Sequence, residues 1–194
     1  EDHTLPMVAM VAAFPAGSVY DPKGKDGLAS FAASLMDEGA GKLDSKAFQA
    51  ALADKAIQLS VQADRDWTVV SLITLTANAK AAFKLLSTAL THPRFDGEAI
   101  ARVRAQMLQN LQQEGEDPSQ IAARNFHQVF FGPHPYAHDT DGDGPGLTSI
   151  NRNDLVNFAA SHWVRNGMKI AVAGDLNTAA LTARAIMMAA NMTW

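Results

Sequence analysis

One stretch near the start of the chain decides the fold: Asp21-Pro22-Lys23-Gly24-Lys25-Asp26-Gly27-Leu28-Ala29-Ser30-Phe31-Ala32-Ala33-Ser34-Leu35. Its first seven residues are rich in Gly, Pro, Asp and Lys, a composition typical of a turn. From Leu28 the apolar residues Leu28, Phe31, Ala32 and Leu35 recur at helical spacing. A tight loop leading into a short apolar helix that closes at Gly39 is therefore predicted.

The segments on both sides of this helix predict a mixed fold. Strands are expected at Met7–Phe14, Ile57–Ala63, Trp67–Thr76 and Met168–Gly174. Helices are expected at Ser45–Lys55, Asn78–Thr91, Asp96–Gly115, Pro118–Phe131, Asn151–Trp163 and Thr178–Ala190, and a loop at Gly132–Gly146. Two consecutive strands read as a hairpin and no linker divides the chain. We therefore predict one domain over residues 1–194 of the α+β class, with a largely antiparallel sheet covered by helices on one face.

The composition excludes several classes of function. The net charge is −4 and basic residues are scattered, so no field for binding nucleic acid is expected. No cysteine is present, which rules out disulfides and thiolate metal sites. No apolar run approaches the roughly 20 residues needed to cross a bilayer, so membrane insertion is not expected either.

Six short motifs, in order along the chain, resemble the pitrilysin/insulinase family of inverted zinc metallopeptidases. They are Phe14-Pro15-Ala16-Gly17-Ser18, the loop Asp21–Gly27 with Leu28 and Ala29, Asp37-Glu38-Gly39, Pro93-Arg94-Phe95-Asp96, His134-Pro135-Tyr136 and Val172-Ala173-Gly174-Asp175-Leu176. The resemblance spans nearly the whole chain. It implies one complete repeat of a domain that the family uses two or four times.

The resemblance also identifies the positions where active members carry zinc ligands and the general base. The family motif His-x-x-Glu-His puts two imidazoles on one helix face and a glutamate beside them. Ser30 and Ser34 stand at the two His positions, Ala33 at the general base, and Asn110 at the distal glutamate, 76 residues after Ser34. Neutral oxygens are weak zinc ligands and a methyl group takes no proton. We therefore predict no catalytic residue, no metal and no cofactor in this chain, and no hydrolysis by the family mechanism.

Three other sites are weaker alternatives. Asp139, Asp141, Asp143 and Gly144 match the first half of a calcium-binding EF-hand loop, but Ile150 stands where the bidentate glutamate belongs. His127, His134 and His138 could approach one another and bind zinc. A serine nucleophile at Ser30 or Ser34 would need a base that the sequence does not identify. A polar, flexible surface loop and ordinary surface histidines are the preferred interpretations.

The family binds peptides as an extra strand at the sheet edge beside the zinc helix. The matching strand here is Leu59-Ser60-Val61-Gln62-Ala63, and a purely structural strand is an equally good interpretation. The resemblance implies a non-catalytic subunit that closes the chamber of a heteromeric metallopeptidase. Its expected partners are an intact His-x-x-Glu-His homologue, which would hold the zinc, and unfolded peptide, and its expected location is the periplasm. The alternatives are a structural subunit like the respiratory core proteins, or a stand-alone peptide-binding module.

Overall fold

The central element is a four-stranded antiparallel sheet, and its strands lie in the order Gln58–Ala63 (β4), Thr68–Leu75 (β5), Met7–Phe14 (β1) and Lys169–Gly174 (β6). A computed structural model describes residues 2–177, 179–180, 182–183 and 192. The strands of its described part are β1 (Met7–Phe14), β2 (Gly39–Ala40), β3 (Leu43–Asp44), β4 (Gln58–Ala63), β5 (Thr68–Leu75) and β6 (Lys169–Gly174). The helices are α1 (Leu28–Ser34), α2 (Ser45–Ala53), α3 (Ala79–Thr91), α4 (Gly97–Glu114), α5 (Pro118–Phe131), α6 (Gly144–Ser149) and α7 (Arg152–His162).

The alternation of side chains along β1 decides which face of the sheet is covered. Val8, Met10, Ala12 and Phe14 are buried. Successive side chains of a strand point to opposite faces, so these residues all point to the side that carries the helices. The helices add their own apolar residues to the same core cluster, among them Phe31, Leu35, Phe48, Phe83, Leu86 and Leu147. The prediction of an α+β fold with helices on one face of an antiparallel sheet is confirmed.

The opposite face of the sheet carries apolar side chains that reach solvent. Met7, Val11, Ile73 and Leu75 are each between 37% and 43% exposed. The register places Met7 opposite Leu75 and Ala9 opposite Ile73, so these side chains are neighbours on the same face of the sheet. We call this set of four the outer sheet face. Contiguous apolar surface of this kind usually marks an interaction site.

Two regions differ from the sequence prediction. The segment Gly132–Gly146, predicted as a loop, contains a 3-10 turn at Pro135–Ala137 and the start of α6. Helix α6 was missed because Gly144-Pro145-Gly146 has the composition of a turn, yet Asp143 caps it by accepting from the N–H of Gly146 at 2.6 Å. The small β2–β3 hairpin was also missed, since two-residue strands leave no periodic signal. The helix predicted at Thr178–Ala190 lies largely outside the described residues.

Within the described residues, no helix is long and apolar enough to cross a membrane.

The loop before α1 is tied to α7 by a lysine. Lys25 Nζ donates to the carbonyl oxygen of Ser149 and to Asp154 Oδ2, the latter at 2.9 Å. Asp154 also accepts from the backbone N–H of Asn151 at 2.7 Å and so completes the capping box of α7. Partial burial opposes ionisation of Asp154, but the Asn151 N–H and the Lys25 ammonium outweigh it and lower its pKa.

We expect Asp154→Asn to lower the free energy of unfolding by about 1–2 kcal/mol at pH 7, because a cap and a half-buried ion pair are lost. The lowered pKa means that this stability is present above the unfolded-state pKa and disappears as the pH falls through the folded-state pKa. Urea denaturation from pH 7 to pH 3 should therefore show the gap between wild type and variant closing below about pH 4. Asp54→Asn, at the exposed C-terminal end of α2, is the matched control. A gap that is constant over this range would contradict the assignment.

Candidate peptide-binding edge and substituted metal site

The start of α1 is fixed by a carboxylate. Asp21 accepts hydrogen bonds from the backbone N–H of Gly27 at 2.8 Å and of Ala29 at 2.9 Å. Gly27 has φ +93°, a conformation that L side chains rarely adopt. Burial raises the pKa of Asp21 to about 7, although the N–H groups of Ala29 and Gly27 favour its ionised form. Asp21 thus supplies the cap that Gly27, with no side chain, cannot provide.

The residues predicted at the metal positions have unequal environments. Ser30 and Ala33 are buried, 8% and 2% exposed, whereas Ser34 is exposed at the last position of α1. Asn110 is exposed on α4, and its Oδ1 accepts from the side-chain amide of Gln106 at 2.9 Å. Helix α1 packs against α4. Four uncharged side chains, three of them polar, therefore occupy these two packed helices at the positions that the resemblance identified.

Ser30 is engaged by a loop from the far part of the chain. Its Oγ donates to Asp141 Oδ1 at 2.7 Å. The loop approaches so closely that a Cβ on Gly142 would lie 2.2 Å from the carbonyl oxygen of Asp26. Only glycine fits this contact, and Gly142 also has φ +79°. The loop is therefore packed against the turn before α1 at Gly142, while Asp141 and Asp143 stay exposed at the surface.

The EF-hand-like series of aspartates does not converge on one point. Asp139 pairs with the Arg124 guanidinium at 3.1 Å, and Asp141 accepts from Ser30. Asp143 caps α6. Because the three carboxylates have three different partners, the calcium interpretation has no support in this geometry.

The three histidines also have separate partners. His127 Nδ1 accepts from the Arg65 guanidinium, and His138 Nδ1 lies 2.8 Å from Asp26 Oδ1. His134 Nδ1 accepts from the backbone N–H of Tyr136. Across the described residues, no group of three or more His, Asp or Glu side chains could hold a metal ion.

Zinc does not fit the residues at the substituted site. Two hydroxyls, one amide and one methyl group offer no imidazole or carboxylate, and one hydroxyl already donates to Asp141. Glu114 lies four residues after Asn110 at the end of α4, and burial together with Asp141 and Asp139 raises its pKa. We derive no hydrolytic step from this site.

Strand β4 is an edge of the sheet, and α1 packs beside it. The N–H of Asp64 donates to the carbonyl of Trp67 at 2.8 Å and closes the connection to β5. Asp64 and Trp67 are therefore a hydrogen-bonded pair. Along an antiparallel ladder, hydrogen-bonded and non-hydrogen-bonded residue pairs alternate, so every second residue counted back from Asp64 bonds to β5. The residues that bond to β5 are therefore Gln58, Ser60 and Gln62. The residues whose N–H and C=O groups point to the open edge are Leu59, Val61 and Ala63.

The predicted edge strand is thus beside the substituted helix, where the resemblance implied it. The side chains of Leu59, Val61 and Ala63 are half-buried against the helices, so the strand is held rigidly while part of its backbone stays open. Such an edge can pair with an extended peptide through main-chain hydrogen bonds.

Sequence reasoning missed the outer sheet face and also an exposed apolar surface on α5. On α5, Phe126 is 58% exposed, Val129 86% and Phe130 67%. Their spacing of three and four residues was visible in the sequence. Such spacing usually indicates a buried face, and only the structure shows that this one faces solvent.

Comparison with known proteins agrees with this geometry. A family described as Insulinase (Peptidase family M16) matches residues 1–144. The non-peptidase homolog YmxG of Helicobacter pylori is 30% identical over 91% of this chain and 41% of its own length. Subunit 1 of the bovine cytochrome b-c1 complex is 22% identical over 91% of this chain and 37% of its own. The crystal structure of a peptidase M16 inactive domain from Pseudomonas fluorescens has a TM-score of 0.94 and 28% identity, covering 98% of this chain and 47% of that one.

The fold defines a peptidase-like domain, in which the resemblance implies that other residues replace the family's metal ligands. The chain belongs to the insulinase family, peptidase family M16. It spans less than half the length of each relative named above.

Restoring the ligands tests the assignment of the metal positions. At about 10 µM free zinc, the unsubstituted protein should not bind one zinc ion per chain. A variant carrying Ser30→His, Ala33→Glu, Ser34→His and Asn110→Glu should bind one zinc ion per chain under the same conditions. The triple variant that keeps Asn110 is the control and should bind more weakly, because the third protein ligand is absent. Isothermal titration calorimetry with circular dichroism separates binding from misfolding. Tight zinc binding by the unsubstituted protein, lost on Asn110→Ala, would overturn the assignment.

Proposed function

We propose that this protein is the non-catalytic subunit of a heteromeric metallopeptidase and that it binds unfolded peptide along β4. The observation that carries the proposal is the open edge of β4 beside a helix whose zinc-binding positions are substituted. Main-chain pairing makes no demand on the side chains of the edge strand, so it survives the loss of the catalytic residues. The partner would be an intact His-x-x-Glu-His homologue that supplies the zinc and the general base.

Two further observations support a subunit role. The outer sheet face exposes Met7, Val11, Ile73 and Leu75, which a folded protein normally covers with another chain or another part of itself. A relative named as subunit 1 of the cytochrome b-c1 complex is similar in sequence, and a solved structure named as an inactive domain shares this fold. We also propose a periplasmic location, an expectation from the family resemblance that cell fractionation tests.

Reconstitution tests the subunit role. The protein is mixed with an intact His-x-x-Glu-His homologue from the same genome, and the mixture is analysed by size-exclusion chromatography with light scattering. We expect a stoichiometric complex that cleaves an unstructured peptide faster than the homologue alone. A chelator should abolish the cleavage in both samples. No complex and no gain in rate would remove the proposal.

A proline in β4 tests the peptide-binding edge. Val61→Pro deletes an N–H that points to the open edge and leaves the ladder to β5 intact, so it should weaken peptide binding about tenfold or more with little loss of stability. Ser60→Pro, one residue away, deletes an N–H of the ladder and should instead lower the unfolding midpoint. Fluorescence anisotropy with a labelled unstructured peptide gives the affinity, and thermal unfolding gives the stability. Unchanged affinity of a folded Val61→Pro variant would show that β4 is not the binding edge.

A structural subunit is the second candidate. The similarity to subunit 1 of the cytochrome b-c1 complex favours it, since that protein's name describes a subunit of a larger complex. In that case the protein would co-purify with a membrane complex and would leave peptide cleavage by any homologue unchanged.

A further inference from the structure

Helix α5 has an inner side that is tied down by polar and aromatic contacts. Arg124 pairs with Asp139 at 3.1 Å and His127 bonds to Arg65. The ring of Phe131 packs edge-on against Tyr136, with centroids 5.5 Å apart. These contacts fix the orientation of the helix although none of its residues is buried.

The other side of α5 presents apolar side chains to solvent. Phe126 and Phe130 stack on each other, with ring centroids 5.3 Å apart and an angle of 19° between their planes. Val129 lies between them in sequence and is 86% exposed. We call Phe126, Val129 and Phe130 the α5 stripe. The one arginine of α5 belongs to the opposite side, so the stripe carries no formal charge.

The α5 stripe is next to the end of the open sheet edge. Arg65, in the turn that follows β4, bonds to His127, whose ring centroid is 5.9 Å from that of Phe126. Asp66, in the same turn, accepts from the hydroxyl of Tyr136 at 2.7 Å. A peptide that is paired with β4 and continues past Ala63 passes this turn, which the contact between Arg65 and His127 joins to α5.

The size of the stripe argues for a peptide as its occupant. A fully buried aromatic side chain covers about 150–250 Å², so these three partly exposed residues offer on the order of 400 Å². A stable contact between folded partners buries about 800 Å² on each side. The stripe is too small to hold a second copy by itself, but it suits one or two side chains of a peptide that is already held by its backbone.

We infer that the α5 stripe selects peptides with an apolar, above all aromatic, side chain a few residues beyond the segment that pairs with β4. This inference rests on the proposed peptide binding at β4. The backbone edge would supply sequence-independent affinity, and the stripe would supply the preference. Exposed aromatic side chains are a property of unfolded chains, since folded proteins bury them.

The test uses two labelled peptides with the same length and net charge. One has Phe and the other has Ser at a position a few residues beyond the segment that pairs with β4. The protein should bind the Phe peptide roughly ten times more tightly than the Ser peptide, the factor expected for partial burial of one aromatic ring. Phe126→Gln with Phe130→Gln should abolish this preference and leave binding of the Ser peptide unchanged. Gln128→Ser, on another side of α5, is the matched control and should keep the preference.

Each outcome separates this inference from the proposed function. If Val61→Pro abolishes binding of both peptides, the β4 edge binds peptide. If the variant with Phe126→Gln and Phe130→Gln then keeps the preference for the Phe peptide, the stripe is not the surface that selects it. If neither peptide binds the wild type, the proposed function fails and this inference fails with it. Sedimentation experiments test whether a second copy covers the stripe instead. If the wild type forms a concentration-dependent dimer and the variant with Phe126→Gln and Phe130→Gln does not, a second copy is the occupant and the inference is overturned.

Discussion

The carboxylate of Asp21 at the first turn of α1 is the interaction on which the rest of this structure depends. Helix α1 has seven residues, too few to be stable in isolation, so it must be held by its surroundings. Asp21 satisfies N–H groups at its start, and the packing of Phe31 into the core holds its middle. With α1 fixed in this way, β4 lies beside it as an edge, and the loop around Asp141 closes over Ser30.

The substituted metal site shows how such a helix can keep its place without a metal. In an active relative of this design, a zinc ion bound by α1 and α4 would link the two helices. Here Ser30 donates to Asp141 and apolar packing joins α1 to α4. A buried hydroxyl with a partner costs little, whereas a buried imidazole without a metal would leave a polar nitrogen unsatisfied. Serine and alanine are therefore stable replacements once the metal chemistry is gone.

Most of the fold could be predicted from the sequence because its strands and long helices carry strong periodic signals. The prediction of α5 at Pro118–Phe131 matches the structure at both ends, since Asp117 caps the helix and Gly132 ends it. Helix α6 could not be predicted in the same way, because its capping aspartate precedes a Gly-Pro-Gly sequence that is typical of a turn. The positions of Ser30, Ala33, Ser34 and Asn110 came from the family resemblance. The contact between Ser30 and Asp141 joins residues 111 apart, and no local pattern announces such a contact.

Catalysis and peptide binding at a sheet edge place different demands on the side chains of a domain. Catalysis by this family needs particular side chains at a few positions, and the resemblance implies that four of them are replaced here. An open sheet edge needs only a regular backbone, so it does not depend on the side chains of Ser60 and Val61. The α5 stripe and the outer sheet face would be a liability in an isolated domain, because exposed apolar surface favours aggregation. Two such surfaces on one domain are better explained if each is covered in the working protein, the outer sheet face by a partner or the rest of the chain and the α5 stripe by bound peptide.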